Sequence, residues 1–147
     1  GDGRLGGSQG QILVDGKVVM AKNVMIAAGG RPRPLPGVAF DGERIISSRE
    51  AMALSERPER MLIVGAGAIG VEFAYFYSSF GTKVTLVEML DHLLPVEDEE
   101  VAKELERSFS KKGIAIRTAT KVSSLTRDGK IVRAVLETAA DMRASAR

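Results

Sequence analysis

A short apolar run, Met61-Leu62-Ile63-Val64, passes without a break into Gly65-Ala66-Gly67-Ala68-Ile69-Gly70. Few folds accommodate that junction. Four apolar residues bounded by glycine read as a buried strand. Residues 68–80 then read as a helix, stopped by Gly81 in the C′ position. Residues 83–88 form a second apolar run tipped by one acid, Glu88. Strands that must lie parallel need a helical crossover between them, so strand, glycine turn, helix and strand predict an α/β unit.

The rest of the chain fits around that unit. The first ten residues hold five glycines (Gly1, Gly3, Gly6, Gly7 and Gly10) and read as a loose lead-in. Residues 11–20 are two β-rich runs around Asp15-Gly16, a strong hairpin signal. Residues 24–27 read as a short strand ending in Ala28-Gly29-Gly30. Arg31-Pro32-Arg33-Pro34-Leu35-Pro36-Gly37 cannot be helix and behaves as a semi-rigid linker, the best place for a domain boundary. Ser48 is expected to cap a short helix through Leu54. After Pro95 a helix over 98–112 carries an apolar stripe of Val101, Leu105 and Phe109 and closes at Gly113. Residues 114–117 are a third strand, and 121–126 and 130–137 flank Asp128-Gly129 as a second hairpin. The fold class expected is α/β, a Rossmann-like three-layer domain with a parallel sheet plus a β-hairpin or meander. Its domains are 1–36 and 37–147.

The glycine turn is where chemistry is written. A pyrophosphate can be held by bare backbone N–H groups at a helix start if the chain comes close enough. Gly65 permits the tight turn, a side chain at Gly67 would collide with a phosphate, and Gly70 lets the helix pack on its strand. Glu88 at the tip of the second strand would accept hydrogen bonds from adenosine ribose hydroxyls. Its charge disfavours a 2′-phosphate, which argues for NAD over NADP. A glycine triplet alone is a weak signal in a chain with 16 glycines, and a merely structural turn is the competing reading. Strand, helix and acid in register favour the cofactor. Glu72, placed in the first helical turn, is either a solvent-facing carboxylate favoured by the macrodipole or a contact near the nicotinamide end, and periodicity does not choose.

Other chemistries find little support. The chain has no cysteine, so no thiolate site, dithiol or disulfide can form within it, and His92 is its only histidine. Glu97-Asp98-Glu99-Glu100 is explained by a helix start without a metal. His92 reads as a solvated loop residue. Neither a Gly-x-Ser-x-Gly elbow nor a Cys/His pair occurs, so hydrolase chemistry has no support. With 21 basic and 19 acidic residues interspersed, the net charge of +2 does not form a nucleic-acid stripe. The apolar stretch 61–80 contains Glu72 and three glycines, which makes a membrane span the weaker reading. No charged-then-apolar leader is visible, so a cytoplasmic location is expected.

With these motifs placed, the chain resembles the pyridine-nucleotide flavoprotein disulfide reductases, and within them the dihydrolipoamide dehydrogenase branch. The resemblance is carried by GAGAIGVEFAYFYSSFGTKVTLVEMLDHLLPVEDEEV at 65–101 and KNVMIAAGGRPRPLPG at 22–37. It implies an NAD loop formed by Gly65, Ala66, Gly67, Ala68, Ile69, Gly70, Val71 and Glu72, with Glu72 near the nicotinamide. It implies Glu88 on the ribose, Val122 against the adenine, and Ala28, Gly29 and Gly30 on the edge of an FAD site. Ala28 stands where the family usually has threonine, one FAD hydrogen bond fewer. Ala68 stands where NADP-using relatives tend to carry a tyrosine, in keeping with NAD.

The resemblance also implies a parent enzyme that passes hydride between NAD and flavin and on to a disulfide. The family's first FAD fingerprint, redox cysteine pair and C-terminal domain with its His-Glu pair have no counterpart here. Neither does the strand after the second hairpin. The chain alone is therefore expected to bind NAD(H) without catalysis. Its expected partners are the FAD domain of the parent chain, a 2-oxoacid dehydrogenase complex and a second copy as homodimer. The alternatives are a stand-alone NAD-binding sensor module, or the NAD domain of a related NADH oxidase or mercuric reductase. Residues 24–27 are expected either to fill the sheet position left by the missing strand or to leave it open as an association edge.

Overall fold

The computed structural model describes residues 2–141. It divides into two units, one ending at Arg31 and one beginning at Pro32.

The first unit is an antiparallel sheet of β1 (Gly3–Leu5), β2 (Gln11–Val14) and β3 (Lys17–Met20), with β2 in the middle. Asp15 and Gly16 both take positive φ, +47° and +79°, the geometry of a two-residue hairpin turn whose twist matches the strands it joins. The lead-in is not loose throughout. Gly3, Arg4 and Leu5 pair with Val14, Leu13 and Ile12, a strand made by its partner and not by its own composition. Residues 24–27 correct the sequence reading in the other direction, since they form no strand and are exposed. An apolar β-prone run becomes a strand only when a ladder is available to it.

The second unit opens with a braced loop. Asp41 Oδ1 accepts the backbone N–H groups of Glu43, Arg44 and Ile45, each at 2.8 Å, while Oδ2 pairs with the Arg127 guanidinium at 3.0 Å. These donors, the Glu43 N–H foremost, hold the Asp41 carboxyl far below the ordinary carboxylate range. Ser47 then caps α1 (Ser48–Ala51) with a reciprocal capping box to Glu50. The cap is thus Ser47 and not Ser48, and the helix ends at Ala51, short of Leu54.

The parallel sheet has the order β4 (Arg60–Val64), β5 (Lys83–Val87), β6 (Ala115–Arg117). Crossover helices α2 (Ala68–Ser79) and α3 (Glu99–Lys111) join them. Right-handed crossovers running in one direction across a sheet put both helices on the same face. There Val71, Ala74 and Tyr77 of α2 and Phe109 of α3 meet Val84 and Leu86 of β5, with Leu93 and Ile114, in one cluster. Val87, out of phase with Val84 and Leu86, is 1% exposed and belongs to the opposite face. Tyr77 donates to the Ala51 carbonyl at 2.5 Å, which fastens α1 to α2, and burial pushes its phenol up.

The apolar stripe of α3 keeps Leu105 and Phe109 as expected but begins at Ala102 and not at Val101. Ala102, Leu105 and Phe109 face inward, and Val101 is 57% exposed. Asp98 caps this helix through the Glu100 N–H, and Glu99 pairs with Lys103 at 2.7 Å, so the acidic run is spent on starting it. Gly81 and Gly113 close the two helices at φ +85° and +79°.

An antiparallel hairpin of β7 (Thr120–Asp128) and β8 (Ile131–Thr138) completes the unit, with a register shift between Val122 and Ser124. Within the described residues β4 has β5 as its ladder neighbour and no other. The last six residues of the tail read as lacking a strand, 142–147, lie outside the described residues. No helix among those described is long and apolar enough to cross a membrane.

Candidate functional site

The glycine turn sits where β4 ends and α2 begins, at the carboxyl ends of β4 and β5. The Gly65 N–H donates to the Val87 carbonyl at 2.8 Å, extending the β4–β5 ladder one step past the strand. Gly65 then turns at φ +98°, in the region that favours glycine. Gly70 is required for a different reason. A Cβ there would lie 1.9 Å from the Gly65 carbonyl oxygen and 3.7 Å from Ile63 Cγ2, so α2 rests on the turn's own backbone more tightly than on β4.

Gly67 needs neither argument. Its φ of −70° and ψ of −177° suit any residue, and an added Cβ would meet nothing within 4 Å. Gly67 is also the N-cap of α2, and no side chain caps the helix. The first N–H groups of a helix have no partner within it. Here they adjoin an open space that a side chain at Gly67 would enter. Ala68 and Ile69 are exposed beside it, Ile69 by 60%. Val71 supports the turn from beneath, its N–H bonded to the Gly67 carbonyl and its side chain in the core.

Ala66 is fully buried and held at both ends. Its N–H donates to Glu88 Oε2 at 2.7 Å, and its carbonyl accepts from the Leu94 N–H at 2.8 Å. The second Glu88 oxygen accepts from the Leu90 N–H at 3.0 Å, and Glu88 as a whole is 8% exposed. A carboxylate offers about four lone-pair sites, so roughly two remain for a ligand. The acid thus turns inward against the loop and does not stand free at the strand tip.

The backbone of Glu88 also gathers the neighbouring elements. Its N–H donates to the Arg117 carbonyl at the end of β6, and its carbonyl accepts from the Thr120 N–H at the start of β7. Val122, half-buried and paired with Leu136, therefore lies two residues along a strand anchored on Glu88. Glu72 is the fifth residue of α2 and is exposed. It opens the second turn, where the macrodipole no longer accounts for it, a correction to the first-turn placement.

Ala28, Gly29 and Gly30 belong to the first unit, in irregular exposed chain, with Gly29 at φ +76°. His92 is half-buried and not solvated, and donates from Nδ1 to the Leu93 carbonyl at 2.8 Å. Leu93, Leu94 and Thr120 carry no motif, and their part in the site comes from tertiary hydrogen bonds that no spacing announces.

Comparison with known proteins gives one consistent result. The family described as pyridine nucleotide-disulphide oxidoreductase matches residues 4–146. A dihydrolipoyl dehydrogenase of Chlorobaculum tepidum is 46% identical over 85% of this chain, which spans 28% of that relative's length. Among solved structures, LpdA from Mycobacterium tuberculosis is 38% identical over 71% of this chain and 23% of its own, with a TM-score of 0.65. An NAD-dependent persulfide reductase from A. fulgidus is 30% identical over 86% of this chain and 25% of its own, with a TM-score of 0.65.

Proposed function

The chain belongs to the pyridine nucleotide-disulphide oxidoreductase family, and we propose that its second unit binds NAD(H) at the Gly65–Gly70 turn. One observation carries the reading. Gly67 caps α2 without strain and without a neighbour, so beyond the mild preference of an N-cap for glycine nothing within the chain requires it, and the approach of a ligand does. Bare N–H groups at a helix N-terminus suit a pyrophosphate.

The remaining assignments follow from position. Glu88 has lone pairs left to accept from ribose hydroxyls, and its charge repels a 2′-phosphate. Val122 lies on β7, whose first residue, Thr120, donates to the Glu88 carbonyl, and is assigned to the adenine side. Glu72, exposed one turn along α2, is assigned to the nicotinamide end. Ala28, Gly29 and Gly30 would edge an FAD site in the parent protein, with the first unit counted as part of its FAD domain. In that parent, NAD would exchange hydride with a flavin, as in a dihydrolipoyl dehydrogenase. A 2-oxoacid dehydrogenase complex and a homodimer are the partners proposed for it. This chain, lacking cysteine, is proposed to bind the nicotinamide cofactor without turnover.

Calorimetric titration with NADH, NADPH and FAD tests the assignment. NADH should bind, NADPH should bind more weakly, and Glu88→Arg should abolish that preference. FAD binding without an NADH signal would overturn the reading.

A further inference from the structure

The glycine turn is held from outside its own motif. Between β5 and α3 the chain folds back so that Leu93, fully buried, anchors the segment in the core. Its N–H donates to Glu106 Oε1 on α3 at 3.1 Å. The next residue, Leu94, takes φ +49°, a conformation that an L side chain rarely adopts. The Leu94 N–H donates to the Ala66 carbonyl, 2.8 Å away. Leucine offers no intrinsic reason for a positive φ, so its surroundings must impose it. The Glu106 carboxylate, half-buried one helix away, is the charged acceptor that fixes the preceding N–H.

We propose that Glu106 is a positioning residue for the nucleotide site, acting through Leu93 and Leu94 on the carbonyl of Ala66. The proposal rests on the reading of the Gly65–Gly70 turn as the NAD site and adds a residue to it. Glu88 fixes the N–H side of Ala66, and Glu106, through the Leu93–Leu94 segment, fixes the carbonyl side. Together they set the turn before a cofactor arrives. A turn already in its bound shape has less ordering to pay on binding, and that gain appears as affinity. Glu106 reaches no ligand itself.

The experiment uses the full 147-residue chain. Glu106→Ala removes the acceptor, and Glu106→Gln keeps an acceptor oxygen at the same reach. NADH dissociation constants are measured well below the unfolding midpoint of each variant, and amide exchange of Leu93 and Leu94 is read without cofactor. Glu106→Ala should speed exchange at both amides and weaken NADH binding about five- to tenfold. Glu106→Gln should recover most of both. A residue that served stability alone would lower the midpoint and leave the affinity unchanged. That result, with Leu93 protection lost, would overturn the proposal, as would equal losses in the two variants. A wild-type chain that does not bind NADH fails the reading of the site. In that case the exchange rates still decide the brace, because unchanged protection at Leu94 in Glu106→Ala refutes it.

Discussion

Alanine at Gly67 and alanine at Gly70 are the same chemical change three residues apart, and the structure predicts opposite costs. At Gly70 the new Cβ would stand 1.9 Å from the Gly65 carbonyl oxygen and 3.0 Å from its carbon. Both are backbone atoms, so no side chain can swing away. The turn and α2 must separate by roughly 1 Å or more to reach an ordinary contact. Overpacking of this kind costs about 1–3 kcal/mol, and the better helix propensity of alanine returns up to about 1 kcal/mol. A net loss near 1–2 kcal/mol corresponds to a midpoint lower by roughly 2–8 °C for a chain of this size. Displacing the turn by an ångström should also weaken NADH binding on the order of 10- to 100-fold. At Gly67 the Cβ meets nothing and φ is ordinary, so stability should fall by no more than about 1 kcal/mol, the cost of alanine in place of glycine at an N-cap. The methyl would instead occupy the space assigned to the pyrophosphate, and NADH binding should be lost. Thermal melts by circular dichroism, paired with calorimetric titration, separate the two. If Gly67→Ala were as destabilised as Gly70→Ala, or bound NADH like the wild type, the argument from empty space would be wrong.

Four further outcomes are expected. In α3, Phe109→Ala should cost about 3–5 kcal/mol in urea unfolding, whereas Val101→Ala should stay within about 0.5 kcal/mol, because only the first is in the core. Ser47→Ala should destabilise by about 1 kcal/mol and Ser48→Ala by much less, since the capping box belongs to Ser47. Asp41 has its folded pKa depressed below 3.8, so its contribution is complete above that pH and is lost as the pH falls below it. Asp41→Asn should therefore flatten the acid limb of a stability–pH profile, and a limb of unchanged slope would count against the braced loop. Arg127→Ala should raise the Asp41 pKa only in part, as followed by NMR titration, because the Glu43 N–H is its leading cause and remains.

The parallel sheet and its glycine turn were legible because the constraint there is local. A strand that must turn sharply into a helix needs backbone freedom at Gly65 and close approach at Gly70, and only glycine supplies them. The hairpin turn at Asp15-Gly16 was legible for the same reason, whereas the second was placed one residue early: Asp128 pairs with Ile131, so Gly129 and Lys130 make that turn, with Gly129 at φ +57°. Where a residue's state depends on a distant partner, the reading missed. Residues 3–5 lie in a glycine-rich lead-in yet form a strand because β2 offers them a ladder, and residues 24–27 look like a strand yet lack one. In α3 Leu105 and Phe109 were legible, but the first member of the stripe was missed because Ala102, small and fully buried, carries little weight beside the larger Val101. In the site, Glu88 was expected at the strand tip, but its inward hydrogen bonds to Ala66 and Leu90 depend on how the turn folds over it. Glu106 and Leu94 left no trace in the sequence, since a positive φ at leucine is imposed by tertiary contacts.

The uncapped N-terminus of α2 is the seat proposed for a dinucleotide's pyrophosphate. Titrating the isotopically labelled chain with NADH and following backbone amide shifts tests it most directly. The largest changes should fall on Gly67, Ala68 and Ile69, with a second group at Glu88 and Val122, and with α1 and the 41–45 loop unmoved. Saturable shifts centred elsewhere, with Gly67 and Ala68 unchanged, would contradict the account.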